Sequence, residues 1–236
     1  MKAVILAGGK GTRLAPYTTI FPKPLMPIDD MPILEILLRQ MKRSGVTEAI
    51  LAVGYLKELL RAYFKSGERL GMDIRYSFEG KPLGTAGPLS LIDGIEETFI
   101  VSNGDVLTTL NLQSLIDFHH ENQAIATIAM HTRKVKIDLG VLKLDDSNRV
   151  RDYIEKPVYD FNVSMGIYVF EAQILRYIPQ GEYLDFPDLV LKLIRSGEKV
   201  IGYPFDGYWQ DLGRPDDYLQ AINDFERIRP MILGED

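Results

Sequence analysis

Residues 1–28 read MKAVILAGGKGTRLAPYTTIFPKPLMPI, and several side chains in that stretch could do chemistry. An apolar run stops at Gly8-Gly9, Gly11 and Arg13 follow, and Lys23 stands between Pro22 and Pro24. Glycines at a strand end let backbone N–H groups converge on an anion with no Cβ in the way. Arg13 offers a planar fork for bidentate phosphate contact, and Lys23 a compact point charge. The flanking prolines restrict the backbone at Lys23, and Pro24 drives it towards an extended conformation. The set suits a polyphosphate. The spacing is not G-x-G-x-x-G, because Leu14 stands where the third glycine belongs, and it is not G-x-x-x-x-G-K-[ST] either. A dinucleotide enzyme and a P-loop NTPase are therefore disfavoured. A tight strand-to-helix turn flanked by two solvated cations would use the same residues.

Two carboxylates come next. Asp105 ends the stretch TFIVSNGD, and Asp211 lies in WQDLG. A carboxylate at the carboxyl edge of a sheet is placed to help hold Mg²⁺, which takes one or two carboxylates plus phosphate oxygens. Asp105 could equally cap a helix, and Asp211 could be a turn residue. Glu155-Lys156-Pro157 is open to two readings, a charged ligand site or a solvated ion pair before a turn. His119, His120 and His131 show no metal-like spacing and read as a helix surface and a strand position. Trp209 reads as wedged core, and Asp185 or Asp188 as the cap of a helix.

The elements that must position these residues alternate. The run 3–7 reads as a strand apolar on both faces, as in a parallel sheet, and the runs 48–53, 72–78 and 98–105 read as further strands. Between them, 32–45 reads as a helix with Pro32 in its first turn and Gly45 at its C-terminal cap. A second helix is expected around 57–65, and a third should open within 85–92. This β-α-β-α rhythm predicts a doubly wound, mostly parallel sheet. Beyond about residue 124 the pattern changes to strands at 124–132, 140–145, 149–157 and 164–170, more mixed in orientation. Helices return near 185–196 and 215–228. We expect one α/β/α unit over 1–236, changing texture at about residue 124, with the second half completing the sheet and building a substrate face.

Composition narrows the class. The 236 residues carry 46% hydrophobic and 25% charged side chains, ordinary for a globular protein that can bury a large core. A net charge of −6 argues against nucleic acid as a partner. The absence of cysteine excludes thiol catalysis and disulfides and fits a reducing compartment, so a cytoplasmic location is expected. No apolar run approaches the roughly 20 residues of a membrane span.

Taken in order, the motifs resemble a family. LAGGKGTRLAP with FPKPLMPI is similar to the signature of sugar-1-phosphate nucleotidyltransferases, and the likeness continues through EGKPLGTAGPL, VSNGDVL, EKP, MGIYVF and YWQDLGRPDDY. The resemblance covers nearly the whole chain and implies a nucleotide-binding half over about 1–123 and a sugar-phosphate-binding half over about 124–236. It implies a three-layer α/β/α Rossmann-like fold with a mixed, mostly parallel central sheet, and transfer of a nucleotidyl group from an NTP to a sugar 1-phosphate. It also implies that Leu6, Ala7, Gly8, Gly9, Gly11 and Thr12 form the nucleotide side. Arg13 would stabilise the departing pyrophosphate, and Lys23 the charge developing at the α-phosphate. Asp105 and Asp211 would hold Mg²⁺. Gly84, Thr85 and Ala86 would form the base loop, with Gly84 and Gly87 letting the backbone approach the base. Gly140 and Gly166 would let the backbone approach the sugar, Glu155 would accept from its hydroxyls and Lys156 would hold its phosphate. The chain departs from the family at Ser164-Met165-Gly166, where many members carry Asn-Ala-Gly. Ser164 therefore leaves the sugar open.

Glu79 bears on the base. Guanine presents two adjacent donors that one carboxylate can accept together, so GTP is the expected donor. The loop PLGTAGPL also looks most like that of mannose-1-phosphate guanylyltransferases, which favours a mannose-type sugar. Uridylyl or thymidylyl transfer, or an inactive regulatory relative, are the alternatives. A homo-oligomer is possible within the family. Many relatives carry a C-terminal left-handed β-helix domain, and the sequence to Asp236 is expected to lack it.

Overall fold

The computed structural model describes residues 1–234. Its centre is a seven-stranded sheet: β1 (Lys2–Ala7), β2 (Glu48–Val53), β3 (Asp73–Phe78), β4 (Phe99–Asn103), β5 (Ala126–Lys136), β6 (Val158–Phe170) and β7 (Val200–Pro204). The order across the sheet is β7-β5-β6-β4-β1-β2-β3. Every neighbouring pair is parallel except the two made by β6, which runs antiparallel to both β4 and β5. The mixed, mostly parallel sheet expected from the sequence is the one observed.

Why β1 is apolar on both faces follows from what covers it. Ala3, Ile5 and Ala7 pack on α1 (Ile33–Arg43), α2 (Lys57–Phe64) and α3 (Leu112–Asn122) through Leu34, Leu38, Leu60, Phe64 and Leu115. Val4 points the other way, onto the layer that contains α4 (Phe186–Arg195) with Phe186, Leu189 and Leu193. The period of two along the strand thus feeds two separate cores. The last helix, α5 (Pro215–Leu233), forms a third cluster with α1 through Ile33, Ile36, Phe225 and Ile228. Among the described residues, no helix is long and apolar enough to cross a membrane.

Three expectations need correction. Lys23 is not extended: it opens a 3-10 turn over Lys23–Leu25, and the extended residue is Pro22 before it. The segment 85–92 forms no α-helix, only a 3-10 turn over Gly87–Leu91. The amides of Ala86 and Gly87 instead donate to Leu184 O, each at 2.9 Å, and Pro88 has no amide to donate. His119 is not on a helix surface. It is fully buried, with Nδ1 2.8 Å from Thr127 Oγ1 and Nε2 3.1 Å from Glu171 Oε1. Burial lowers its pKa more than Glu171 raises it.

In the second half, β5 and β6 run on past the sheet as a paired arm, Val158 opposite Lys136 at its tip. A hairpin of Val141–Leu144 and Val150–Ile154 stands beyond it. In β6 the register shifts between Ser164 and Tyr168. Gly166 lies in this shift at φ 73°, a backbone conformation that a side chain would strain.

Candidate active site

The parallel register brings the strand ends into one row. Ala7 pairs with Val53, Val53 with Phe78, and Leu6 with Asn103. The residues that follow, Gly8, Gly54, Glu79 and Gly104, therefore emerge along one edge of the sheet. In open α/β sheets this carboxyl edge is where ligands bind. A cleft of about 740 Å³ lies there, lined by Leu6, Ala7, Gly8, Gly9, Gly11, Arg13, Lys23, Glu79, Gly84, Thr85 and Asp105. Of the expected nucleotide residues, Thr12 and Ala86 do not line it. Thr12 begins an exposed 3-10 turn, and Ala86 is fully buried beneath the loop.

Glu79 connects two walls of the cleft. Its Oε2 accepts from the Leu83 amide at 3.1 Å, and its Oε1 lies so close over Gly8 that a Cβ there would collide with it. A carboxylate has about four acceptor sites, so Glu79 keeps capacity for a ligand.

At the other end of the cleft, charge is concentrated. The turn after β4 carries Asp105, and a short strand, Trp209–Asp211, pairs with Val106–Thr108 so that Asp211 lies opposite Val106. The Leu212 amide donates to Asp105 O at 3.0 Å. That pairing, invisible in the sequence, is what sets Asp211 beside Asp105. Lys23, only 8% exposed, ion-pairs with Asp105 and holds its Nζ 4.0 Å from Asp211 Oδ1. Arg13 reaches the same corner, since a Cβ on Gly213 would lie 2.8 Å from Arg13 Nη2 and 3.0 Å from Asp211 Oδ1. The Asp211 carboxyl is pushed up, first by the burial of one side and then by the negative charge of Asp105, with Lys23 and Arg13 opposing.

This corner suits a divalent cation. Two carboxylates lie together, one of them destabilised by the other, and a lysine already sits in their joint field. Among the described residues no cluster of three or more potential ligands occurs. A metal here would draw its remaining ligands from phosphate oxygens, as Mg²⁺ commonly does.

The expected sugar residues lie outside the cleft lining, on β6 and the hairpin. A Cβ on Gly166 would collide with the Asn103 amide, so its bare face admits Asn103 from the end of β4. Ser164 Oγ donates to Tyr168 OH at 3.1 Å and accepts from the Gly166 amide at 3.3 Å. Gly140 is bare for Tyr153, whose phenol fills the space a Cβ would take and donates to Glu155 Oε2 at 3.2 Å. What Gly140 approaches in this structure is therefore the tyrosine that holds Glu155. Glu155 and Lys156 are exposed, with 3.9 Å between Lys156 Nζ and Glu155 Oε1.

Several lining residues escaped the sequence reading: Lys10, Gly54, Asn103, Tyr183 and Asp185. Lys10 and Asn103 lie inside recognised motifs and could have been taken from them. Asp185 was expected only as a helix cap. It stands at that position without a side-chain cap bond and turns to the base loop instead. Trp209 is partly buried against the core as expected, and its Nε1–H donates to Met165 O at 3.0 Å.

A doubly wound sheet with a charged, glycine-walled cleft at its carboxyl edge defines a nucleotide-handling α/β protein. The chain belongs to the nucleotidyl transferase family, whose model matches residues 2–228. It is 38% identical over 242 residues to a UTP–glucose-1-phosphate uridylyltransferase of Synechocystis, covering 94% of this chain and 62% of the relative. It is 36% identical over 232 residues to a mannose-1-phosphate guanylyltransferase of Mycobacterium tuberculosis, covering 95% and 64%. The chain thus spans just under two thirds of the length of these relatives. The solved structure of HddC from Yersinia pseudotuberculosis complexed with GMP-PN superposes with a TM-score of 0.71 at 25% identity, over 95% of this chain and 99% of that one.

Proposed function

We propose that this chain transfers a nucleotidyl group from an NTP, preferably GTP, to a sugar 1-phosphate of the mannose type. The observation that carries this reading is the charge cluster: Lys23, Arg13, Asp105 and Asp211 converge from three separate parts of the chain at one end of the cleft. An inactive relative would have no need to keep that set assembled. In the reaction a sugar-phosphate oxygen attacks the α-phosphorus in line. The bond from that phosphorus to the β-phosphate bridging oxygen breaks, and pyrophosphate leaves. Catalysis of this kind rests on positioning and charge stabilisation. Lys23 meets the charge developing at the α-phosphate, and Arg13 that on the departing pyrophosphate. Asp105 and Asp211 would hold Mg²⁺, which when bound neutralises phosphate oxygens. Glu155 and Lys156 take the sugar and its phosphate from the arm.

Glu79 supports the choice of GTP. Its carboxylate lines the cleft with acceptor capacity left over, and guanine offers N1–H and N2–H₂ side by side. With uracil or thymine it would face a carbonyl oxygen. Charged hydrogen bonds contribute roughly 1.5–3 kcal/mol each, so GTP should be preferred by about 10²–10⁴-fold. Uridylyl transfer is the second reading, favoured by the Synechocystis relative. The test compares kcat/KM for GTP, UTP, dTTP, CTP and ATP with mannose 1-phosphate and glucose 1-phosphate, in the native protein and in Glu79→Gln. Preference for UTP or dTTP by the native protein would remove the guanine assignment. A GTP preference that survives Glu79→Gln would keep the assignment and discard its explanation.

A further inference from the structure

The loop that meets the base is held from outside, by the segment that leads into α4. The Leu184 amide donates to Leu83 O at 2.9 Å, and Leu184 O receives the amides of Ala86 and Gly87. The loop carries glycine where this segment comes closest. A Cβ on Gly84 would lie 2.6 Å from Leu184 O, and one on Gly87 would lie 2.5 Å from Glu182 O. The glycines expected to admit a base therefore admit another part of the chain.

Asp185 completes the clasp. Its Oδ1 accepts from the Thr85 amide at 2.9 Å and from Thr85 Oγ1 at 3.1 Å, and its Oδ2 accepts from Tyr183 OH at 2.6 Å. Thr85 Oγ1 in turn accepts from the Phe186 amide at 2.9 Å. Two residues before Thr85, the Leu83 amide donates to Glu79 Oε2. One short stretch of backbone thus runs from the Asp185 carboxylate to the Glu79 carboxylate. Both Asp185 and Tyr183 line the cleft, Tyr183 with 64% of its surface open. Aspartate at a helix N-terminus ordinarily accepts from its own helix's first amides. Here it binds the base loop 100 positions away.

We propose that Asp185 is a positioning residue for base selection: it fixes residues 83–87 and, through the Leu83 amide, the orientation of Glu79. The inference rests on the reading of Glu79 given above. A carboxylate that only braced the fold would affect all nucleotides alike. One that aims the base reader changes the ratio between nucleotides and leaves the transfer step near its native rate, because the phosphate cluster lies at the other end of the cleft.

The experiment measures dissociation constants of GTP and UTP by calorimetry without sugar phosphate, and kcat/KM for both, in the native protein, Asp185→Ala, Asp185→Asn and Tyr183→Phe. The quantity read is the preference for the better nucleotide over the other. It should fall roughly 10-fold or more in Asp185→Ala, the scale of one charged hydrogen bond lost. It should fall less in Asp185→Asn, which keeps an acceptor for Thr85, and about 2–3-fold in Tyr183→Phe, which keeps the ring. The kcat with the better nucleotide should stay within about threefold. An unchanged preference in all three variants overturns the inference, and so does an equal loss for both nucleotides. If Asp185→Ala does not fold, Asp185→Asn and Tyr183→Phe decide alone. The calorimetric ratio needs no turnover, so a native protein that binds nucleotides without transferring them fails the proposed function and still tests Asp185.

Discussion

Two carboxylate clusters in this molecule, one buried and one half-open at the cleft, carry opposite balances. Glu35 on α1, its side chain 1% exposed, accepts from Arg39 at 3.0 and 2.7 Å, from Arg69 at 2.8 and 2.5 Å and from Tyr63 OH at 2.8 Å. Burial pushes its pKa up, but the hydrogen bonds from Arg69, Arg39 and Tyr63 outweigh it and hold the group at about 2. At the cleft, Asp105 and Asp211 share Lys23, and Asp211 is pushed up instead. The first cluster is saturated: one acid, two guanidiniums, one phenol. The second has acids with acceptor capacity unused and their mutual repulsion incompletely offset. Saturation fixes a fold, whereas an unfinished charge balance asks for a ligand.

The contrast can be broken by substitution, and the largest effect should come from the unfinished side. Asp105→Asn should lower turnover by roughly 10²–10³-fold, the scale of one well-placed group at developing charge. Its melting temperature should stay within a few degrees of native. Near-native turnover would remove Asp105 from the cluster's function. Lys23→Ala should cost about 10²-fold, in kcat more than KM, because its charge acts most strongly in the transition state. Arg13 is exposed where Lys23 is buried, so Arg13→Ala should cost less. A change confined to KM would make both residues ground-state binders. On the arm, Glu155→Gln should reduce kcat/KM for the sugar phosphate about 10-fold with NTP affinity unchanged, since an amide offers one acceptor and mismatched donors. Equal damage to NTP affinity would place Glu155 in the wrong pocket.

The saturated cluster should respond in stability alone. Glu35→Gln should cost about 2–3 kcal/mol of stability at neutral pH, from charged hydrogen bonds lost at a buried site. The melting temperature should fall several degrees, with kcat at 25 °C unchanged. The sign of the pH dependence follows from the lowered pKa. The native carboxylate's contribution is present above its ordinary value of 4.5 and is lost as pH falls towards about 2. The gap in melting temperature between native and Glu35→Gln should close over that window. A gap independent of pH would mean that shape, not charge, holds the cluster.

Strand identity was legible because its cause is local. The apolar run 3–7 and the later runs became β1, β2, β3 and β4, with β1 covered on both faces and β3, at the sheet's edge, largely open to solvent. The glycine loop and Asp105 were visible at strand ends, but composition left them and Lys23 open to ordinary turn, cap and surface readings, and only the family motifs gathered them into one site. The rest depended on partners distant in the chain. Nothing near residues 85–92 says that their amides would serve Leu184 and leave no helix. Nothing near His119 announces Thr127 and Glu171, so a helical histidine in a polar stretch reads as exposed. Asp185 looked like a cap because helix-start chemistry is local, while its partners, Thr85 and Tyr183, include one from the far half. Glu155 and Lys156 were singled out only through family motifs, and the bond from Tyr153 that holds Glu155 had no signal in the sequence.

The position of β6 has a consequence for how the chain is made. It lies between β4 and β5, and it pairs Ile167 with Ser102 across 65 positions of sequence (167 minus 102). A chain emerging from its N-terminus can assemble β1, β2, β3 and β4 early, with α1 and α2 on one face. The outer ladder of β4 then stays open until Phe170 has been made. An open parallel edge is a template for wrong pairing, and long-range closure is slow. The arrangement that lets Gly166 meet Asn103 beside the cleft therefore leaves the middle of the sheet open until β6 is made, with only the edge strand β7 still to follow, and lengthens the nascent chain's exposure to aggregation.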